Sequence, residues 1–298
     1  MSVKFPIGKV YFFLRTFWVE SFLHGQVIKM SAYFEINGKL RKENWGDDIN
    51  YWFLREIVED PIISYDNSLL TRKTHRPYVL GIGSLLTLFS IDNSIVWGTG
   101  VLSTTDKIKG TPKEVRAVRG PLSRARLLAA GIECPEIYGD PALLLPRYYT
   151  PKVSKRYKLG IIPHYKDMHN PLLEKLKNDK DVLIIAIRDY GHWLDFIDNI
   201  NQCNAIISSS LHGLIVSEAY GIPNLWVKFN EKHNGDDIKF HDFFLSIGHD
   251  RSVFILKNET TKKDIQKAFD NYKKGYIDLM PLVEACPFKL KPNVKIHR

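Results

Sequence analysis

Residues Ala205-Ile206-Ile207-Ser208-Ser209-Ser210-Leu211-His212-Gly213-Leu214-Ile215-Val216 run from an apolar strand through three hydroxyls into an apolar helix. Gly221-Ile222-Pro223 stops that helix after Tyr220, and Asn224-Leu225-Trp226-Val227 starts another apolar strand. A fully apolar strand, a crossover helix and a second apolar strand are what a parallel sheet covered on both faces demands. The same rhythm extends upstream. Lys158 to Ile162 reads as a strand ending at Pro163-His164, Pro171 to Lys177 as a helix, Val182 to Ile187 as a strand and Trp193 to Gln202 as a helix.

The first half repeats the pattern with shorter runs. Val79 to Gly83, Ile95 to Gly98 and Val115 to Val118 read as buried strands, and Tyr51 to Val58 as an apolar helix. Pro121 to Ala130 reads as a helix with Leu122, Ala125, Leu128 and Ala129 on its inner face and Gly131 as its stop. Between the halves, Pro146 to Lys158 is polar, basic and carries two prolines, as an interdomain linker does. The expectation is an α/β protein of two Rossmann-like, doubly wound domains, residues 1–150 and 151–298, facing across a cleft. Thr260 to Ala285 is expected to form a long C-terminal helix. Ligands of open parallel sheets bind at the carboxyl ends of the strands, so the cleft is the expected site.

With 298 residues the chain can bury a large core, and its 44% hydrophobic and 25% charged residues exclude a disordered, collagen-like or integral membrane chain. Cys134, Cys203 and Cys286 form no CxxC pair, which argues against a disulfide framework or a cysteine zinc site and fits a reducing, cytoplasmic compartment. The net charge of +9 suits an anionic small substrate or membrane surface better than nucleic acid, for which no recognition motif is present. Tyr11, Phe12, Phe13, Phe17, Trp18 and Phe22 make the segment before Ile28 strongly aromatic, but Arg15, Glu20 and His24 interrupt it too often for a spanning helix. Residues 4–28, with Lys4, Lys9 and Arg15 beside the apolar positions, are a candidate for peripheral contact with the inner face of the cytoplasmic membrane; the alternative is packing on the body of the protein.

Chemistry-bearing residues cluster at strand ends. Ser209, Ser210 and Gly213 open a helix whose amides favour an anion, with His212 in its first turn as a proton carrier. Arg119, before Gly120-Pro121, is placed to grip a phosphate or carboxylate. Gly46, Asp47 and Asp48 precede an apolar helix, where the carboxylates either cap it or accept from a sugar hydroxyl. Asp140 in Tyr138-Gly139-Asp140-Pro141 makes a turn or faces the cleft, as do His164 and Arg188-Asp189 at two further strand ends. The stretch Lys232 to Asp242, with His233, Asp236, Asp237, His241 and Asp242, has metal-ligand side chains in no standard spacing, and a polar substrate loop is the better reading. No complete dinucleotide fingerprint, P-loop or nucleophile elbow is present.

Taken in order, these segments resemble the polysaccharide pyruvyl transferase family. The matching pieces are Gly46-Asp47, Trp97-Gly98-Thr99-Gly100, Val118-Arg119-Gly120 with Ser123, Gly139-Asp140-Pro141, Ile162-Pro163-His164-Tyr165, Ser209 to Gly213 with Glu218, and Gly221-Ile222-Pro223. The resemblance implies a GT-B-like fold and transfer of pyruvate from phosphoenolpyruvate to a sugar of a cell-envelope or capsular polysaccharide precursor, which can be lipid-linked. It further implies a cyclic ketal product, no redox cofactor, Arg119 on the donor's carboxylate or phosphate, and His212 near the enol carbon or phosphate. One departure stands out: many members carry arginine before the Leu-His pair, where this chain has Ser210, and Arg188 at a neighbouring strand end is the candidate to restore the charge. The alternatives are a GT-B-like glycosyltransferase using a nucleotide sugar and a non-catalytic saccharide-binding protein.

Overall fold

The computed structural model describes residues 7–23, 25–30, 44–229, 237–257 and 259–297. Lys4, His24 and the part of the Lys232–Asp242 stretch that holds His233 and Asp236 lie outside the described residues. The first half runs α1 (Ile7–Phe22), β1 (Gln26–Lys29), α2 (Trp45–Ile57), β2 (Ile62–Ser64), α3 (Leu69–Thr74), β3 (Tyr78–Leu80), β4 (Ser94–Trp97), β5 (Glu114–Ala117), α4 (Pro121–Ala129) and α5 (Leu145–Tyr148). The second runs β6 (Tyr157–Ile162), α6 (Pro171–Leu176), β7 (Val182–Ile184), α7 (Trp193–Asn201), β8 (Cys203–Ser208), α8 (Leu211–Ala219), β9 (Asn224–Lys228), α9 (Ile238–Ser246), β10 (Phe254–Ile255), α10 (Lys262–Phe269) and α11 (Met280–Glu284).

Among the described residues all eight strand pairings are parallel, as the apolar runs require. They build two five-stranded sheets, ordered β2-β1-β3-β4-β5 and β10-β9-β8-β6-β7. Counted from the first strand of each half, both orders are 2-1-3-4-5, so in each sheet the winding reverses beside the first strand and a crevice opens there at the carboxyl ends. The chain is therefore α/β with two parallel sheets.

The halves share one core. Its largest apolar cluster joins Trp45, Phe53 and Trp97 of the first half to Ile162, Phe196, Leu214 and Phe243 of the second. Trp45 opens α2, stacks on Phe196 at 4.4 Å and donates its indole N–H to Trp193 O at 2.8 Å. Truncating a buried aromatic of this kind costs about 3–5 kcal/mol.

Two local expectations are corrected. The terminal stretch is two short helices, not one long one. Between α10 and α11 the chain must press against Ile247, where Gly275 leaves no room for a Cβ, and Tyr276 N–H bonds Ile247 O at 2.8 Å instead of continuing a helix. The tail then crosses to the first half, where Trp97 donates to Leu282 O and Lys291 N–H bonds Ile57 O. In α4 the buried residues are Ser123 and Leu127, whereas Leu128 is exposed, because Ser123 is drawn inward by hydrogen bonds to Asp242. The aromatic amino-terminal run is helical over Ile7–Phe22, and Gln26–Lys29 after it pairs with β2 and β3 as an internal strand.

Candidate active site

Two helix starts meet where the halves face each other. α2 begins at Asn44, whose side chain accepts from Gly46 N–H at 3.2 Å, so neither Asp47 nor Asp48 caps it. α8 begins at Ser210, which makes no side-chain cap. His212, in the first turn of α8, lies on Gly46 so closely that a Cβ there would fall 2.0 Å from its Nδ1. Gly46 thus makes room for an imidazole. Gly213 makes room in the same way, since a Cβ would meet Ser208 Oγ at 2.4 Å.

On its other edge His212 faces Asp140. Nε2 and Oδ2 are 3.9 Å apart, both are buried, and neither has a hydrogen-bond partner among the described residues. Asp140 also shapes the turn, since Oδ1 accepts from Ala142 N–H at 2.9 Å. Complete burial raises the Asp140 carboxyl to about 7, against the pull of that backbone bond and of Arg119. Burial lowers the His212 imidazole to about 3, and the positive Arg119 and Lys239 push it the same way. A proton held by the pair near neutral pH therefore sits on the carboxyl and not on the imidazole, and the ring is neutral.

Asp47 lies in the first turn of α2, with Asn44 Nδ2 donating to its Oδ2 at 2.7 Å. Burial raises it to about 6, with the Asn44 bond and Lys239 opposing. Lys239, in the first turn of α9, is half-buried and lowered to about 8 by burial and by Arg119, while Asp47 and Asp237 hold it up. Asp47, Asp140, His212, Arg119 and Lys239 thus form one electrostatically coupled group contributed by both halves.

Beside this group lies a cavity of about 430 Å³ at the carboxyl ends of β6, β8 and β9. His164, Tyr165, Lys166, Ser209, Lys228 and Lys239 line it, and Leu102, Ser103 and Asp106 of the first half face them. Ser209 Oγ accepts from His164 N–H at 2.8 Å and donates to Asp167 at 2.6 Å, which fixes the loop after β6. Lys228 pairs with Asp237 at 2.6 Å. Arg188 lies outside the cavity lining, its guanidinium 4.1 Å from the Tyr165 ring centre.

Arg119 is brought to the group but is closed off from solvent. Its Nε donates to Asp242 at 3.0 Å, Nη1 to Ser84 Oγ at 2.7 Å and Nη2 to Val101 O at 2.8 Å, with the guanidinium lying on Gly100. In this arrangement the fork meant for a donor phosphate is occupied by the protein. Asp48 is also inaccessible to a sugar: it is fully buried and accepts from Tyr190 OH at 2.7 Å. The described metal-ligand side chains of the 232–242 stretch are engaged elsewhere, with Asp237 on Lys228, His241 on Asp250 and Asp242 on Arg119 and Ser123. Sequence reasoning did not single out Lys239, Lys166 or Lys228. Lys166 follows an apolar strand and Lys228 ends one, which is the signal that could have found them, whereas the Arg119–Asp242 pairing spans 123 positions and leaves no local trace.

A sequence profile described as "Polysaccharide pyruvyl transferase" matches residues 44–230, from the cap of α2 to just beyond β9. The chain belongs to the polysaccharide pyruvyl transferase family. The family's members are transferases of polysaccharide biosynthesis, and the match takes in Asp47, Arg119, Asp140 and His212 but not Lys239 or Asp242. Among curated proteins, the chain is 30% identical over 231 residues to "Uncharacterized protein L143" of Acanthamoeba polyphaga mimivirus, covering 74% of this chain and 78% of that one. It is 28% identical over 214 residues to "Succinoglycan biosynthesis protein ExoV" of Rhizobium meliloti (strain 1021), covering 69% of this chain and 62% of that one. No solved structure matches the chain. No helix among the described residues is long and apolar enough to cross a membrane.

Proposed function

We propose that this chain transfers the pyruvyl unit of phosphoenolpyruvate to two hydroxyls of one sugar in a cell-envelope or capsular polysaccharide precursor, forming a cyclic ketal and releasing phosphate. The observation that carries this reading is the buried Asp140–His212 pair, both facing atoms unsatisfied among the described residues, set beside a cavity lined with lysines. Such a site fits a reaction that needs one proton donor and a cradle for a multiply charged enol ester. The two sheets act as GT-B-like lobes with the donor at the carboxyl ends of the second.

The donor's phosphate and carboxylate lie among Lys239, Lys228, Lys166 and His164, near the start of α8. Lys239, rather than Arg188, supplies the charge missing at Ser210, because it lines the cavity and, with the enclosed Arg119, acts on His212, whereas Arg188 lies outside the lining. Asp140, itself enclosed, supplies through the His212 imidazole the proton that reaches the methylene carbon, which becomes the methyl group, and C2 becomes electrophilic. His212, kept neutral, orients that carboxyl, and Gly46 holds the ring. A first sugar hydroxyl adds to C2, and its proton passes through Asp47 to restore the acid. A second hydroxyl displaces phosphate, which leaves as the hydrogen phosphate with the second hydroxyl's proton, so atoms and charge balance. Arg119 is a positioning residue, pinning α4 and α9 through Asp242 and holding the imidazole neutral. The reaction needs phosphoenolpyruvate as co-substrate and no redox cofactor, and it proceeds in the cytoplasm, where that donor is made.

The test is titration calorimetry with phosphoenolpyruvate and with nucleotide sugars, followed by phosphate release and mass spectrometry with a panel of lipid-linked oligosaccharides. Binding of phosphoenolpyruvate and a ketal-bearing product are expected. Binding of a nucleotide sugar alone would overturn the reading.

A further inference from the structure

The first helix turns its sides the wrong way for a helix of a water-exposed surface. Its one carboxylate, Glu20, faces the protein, buried, and accepts from Ser68 Oγ and Thr71 Oγ1 of α3 at 2.5 Å each. Thr16 is buried on the same side, and Val19 packs on the core cluster of Val27 and Ile63. The opposite side is apolar and faces out. At about 100° per residue, Tyr11, Leu14, Arg15, Trp18 and Phe22 fall within one arc of about 100°. Tyr11, Leu14, Trp18 and Phe22 are 68%, 62%, 52% and 65% exposed, and Phe17 extends the patch at 47%. Apolar patches of this kind mark an interaction surface.

Charge selects the partner. Arg15 is exposed within the arc, and Arg72, Lys73 and Arg76 are exposed on α3 and the turn after it, the element to which Glu20 anchors α1. The arc itself carries no carboxylate. A second copy of the chain would bring the same cations back against themselves, whereas anionic headgroups neutralise them. Tryptophan, tyrosine and phenylalanine beside arginine are the side chains that lie stably at a bilayer's headgroup level. At 16 residues the helix is about 24 Å long, suited to lying along a surface rather than crossing it.

We propose that α1 docks this enzyme on the surface of an anionic phospholipid bilayer, its aromatic arc in the headgroup layer and Glu20 latching it to α3. The contact is independent of the chemistry proposed for the cleft, and no residue of the arc belongs to that site. The experiment is sedimentation of the full chain with vesicles of equimolar phosphatidylglycerol and phosphatidylcholine, and with vesicles of phosphatidylcholine alone. Binding to the anionic vesicles is expected, with at least about tenfold weaker binding to the neutral ones. Leu14→Ser/Trp18→Ser/Phe22→Ser should reduce anionic-vesicle binding by at least about tenfold with unchanged circular dichroism. If that variant fails to fold, the exposed Arg15→Glu substitution decides, and it should weaken binding several-fold. Wild-type protein left in the supernatant with anionic vesicles overturns the proposal, as does a folded triple variant, or Arg15→Glu, that binds like wild type. So does a wild-type dimer that the triple substitution dissociates in the absence of vesicle binding, since the arc would then belong to a second copy.

Discussion

Gly46→Ala tests the centre of the site with one methyl group. The new Cβ would lie 2.0 Å from His212 Nδ1, 2.5 Å from Cγ and 2.8 Å from Cε1. Ordinary carbon contacts lie near 3.5–4.0 Å, so the imidazole or α2 must move by about 1.5 Å. Overpacking of this size costs about 1–3 kcal/mol, and alanine's better helix propensity returns up to about 1 kcal/mol. The net loss is small, a few degrees in Tm for a chain of this size. The catalytic loss is larger, because a misplacement of about 1 Å can cost about 10²-fold. We expect phosphate release from phosphoenolpyruvate with the true acceptor to fall by about 10²-fold while thermal melts show a folded protein. In Gly46→Ala/His212→Ala the clash is gone, so its Tm should exceed the value obtained by adding the two single shifts. A Gly46→Ala enzyme with near wild-type turnover, or strictly additive Tm shifts, would refute the packing of Gly46 on His212 and the role given to that ring.

Other expectations follow from the same group. Asp140→Asn should reduce turnover by about 10²–10⁴-fold. Burial pushes the Asp140 carboxyl up to about 7 in the fold from an ordinary value of 3.8, so the stability it contributes is complete below about 3.8 and is lost as pH rises through about 7. The asparagine variant should therefore match wild type in Tm near pH 4 and exceed it at pH 8; an equal or lower Tm at pH 8 would contradict the buried, neutral carboxyl. Arg119→Ala should destabilise by about 3–5 kcal/mol in urea unfolding, because it strands the buried Asp242 carboxylate, and adding Asp242→Ala should recover part of the loss. A wild-type midpoint with only donor binding weakened would restore Arg119 to the donor subsite. Lys239→Gln, by contrast, should weaken phosphoenolpyruvate binding in calorimetry by about tenfold with little change in Tm, and unaltered binding would remove Lys239 from the donor site.

Much of the architecture was legible locally. Apolar runs such as Lys158 to Ile162 and Ala205 to Ile207, each followed by a helical pattern, carry their parallel pairing in their composition, because strands buried on both faces must be apolar throughout. Gly46, Asp140 and His212 were legible as candidates because strand ends and helix starts announce themselves through glycine, proline and capping residues. Periodicity failed where a partner from elsewhere intervened. Ser123 is buried because Asp242 receives its hydrogen bonds, and the stretch after α10 breaks because Ile247 and Glu218 claim its backbone.

By itself, the sequence of this protein determined two parallel α/β halves, the family and the ordered set of strand-end residues, since each of these is written in contiguous runs. Only the tertiary structure decided which of those residues meet. It closed Arg119 onto Asp242 across 123 positions, set His212 against Gly46 and Asp140, and brought in Lys239 from a helix no motif had marked. It also turned the aromatic side of α1 outward by burying Glu20. Burial and pairing with distant groups decide whether an ionisable side chain is an acid, a clamp or a neutral ring, and neither exists until the chain has folded.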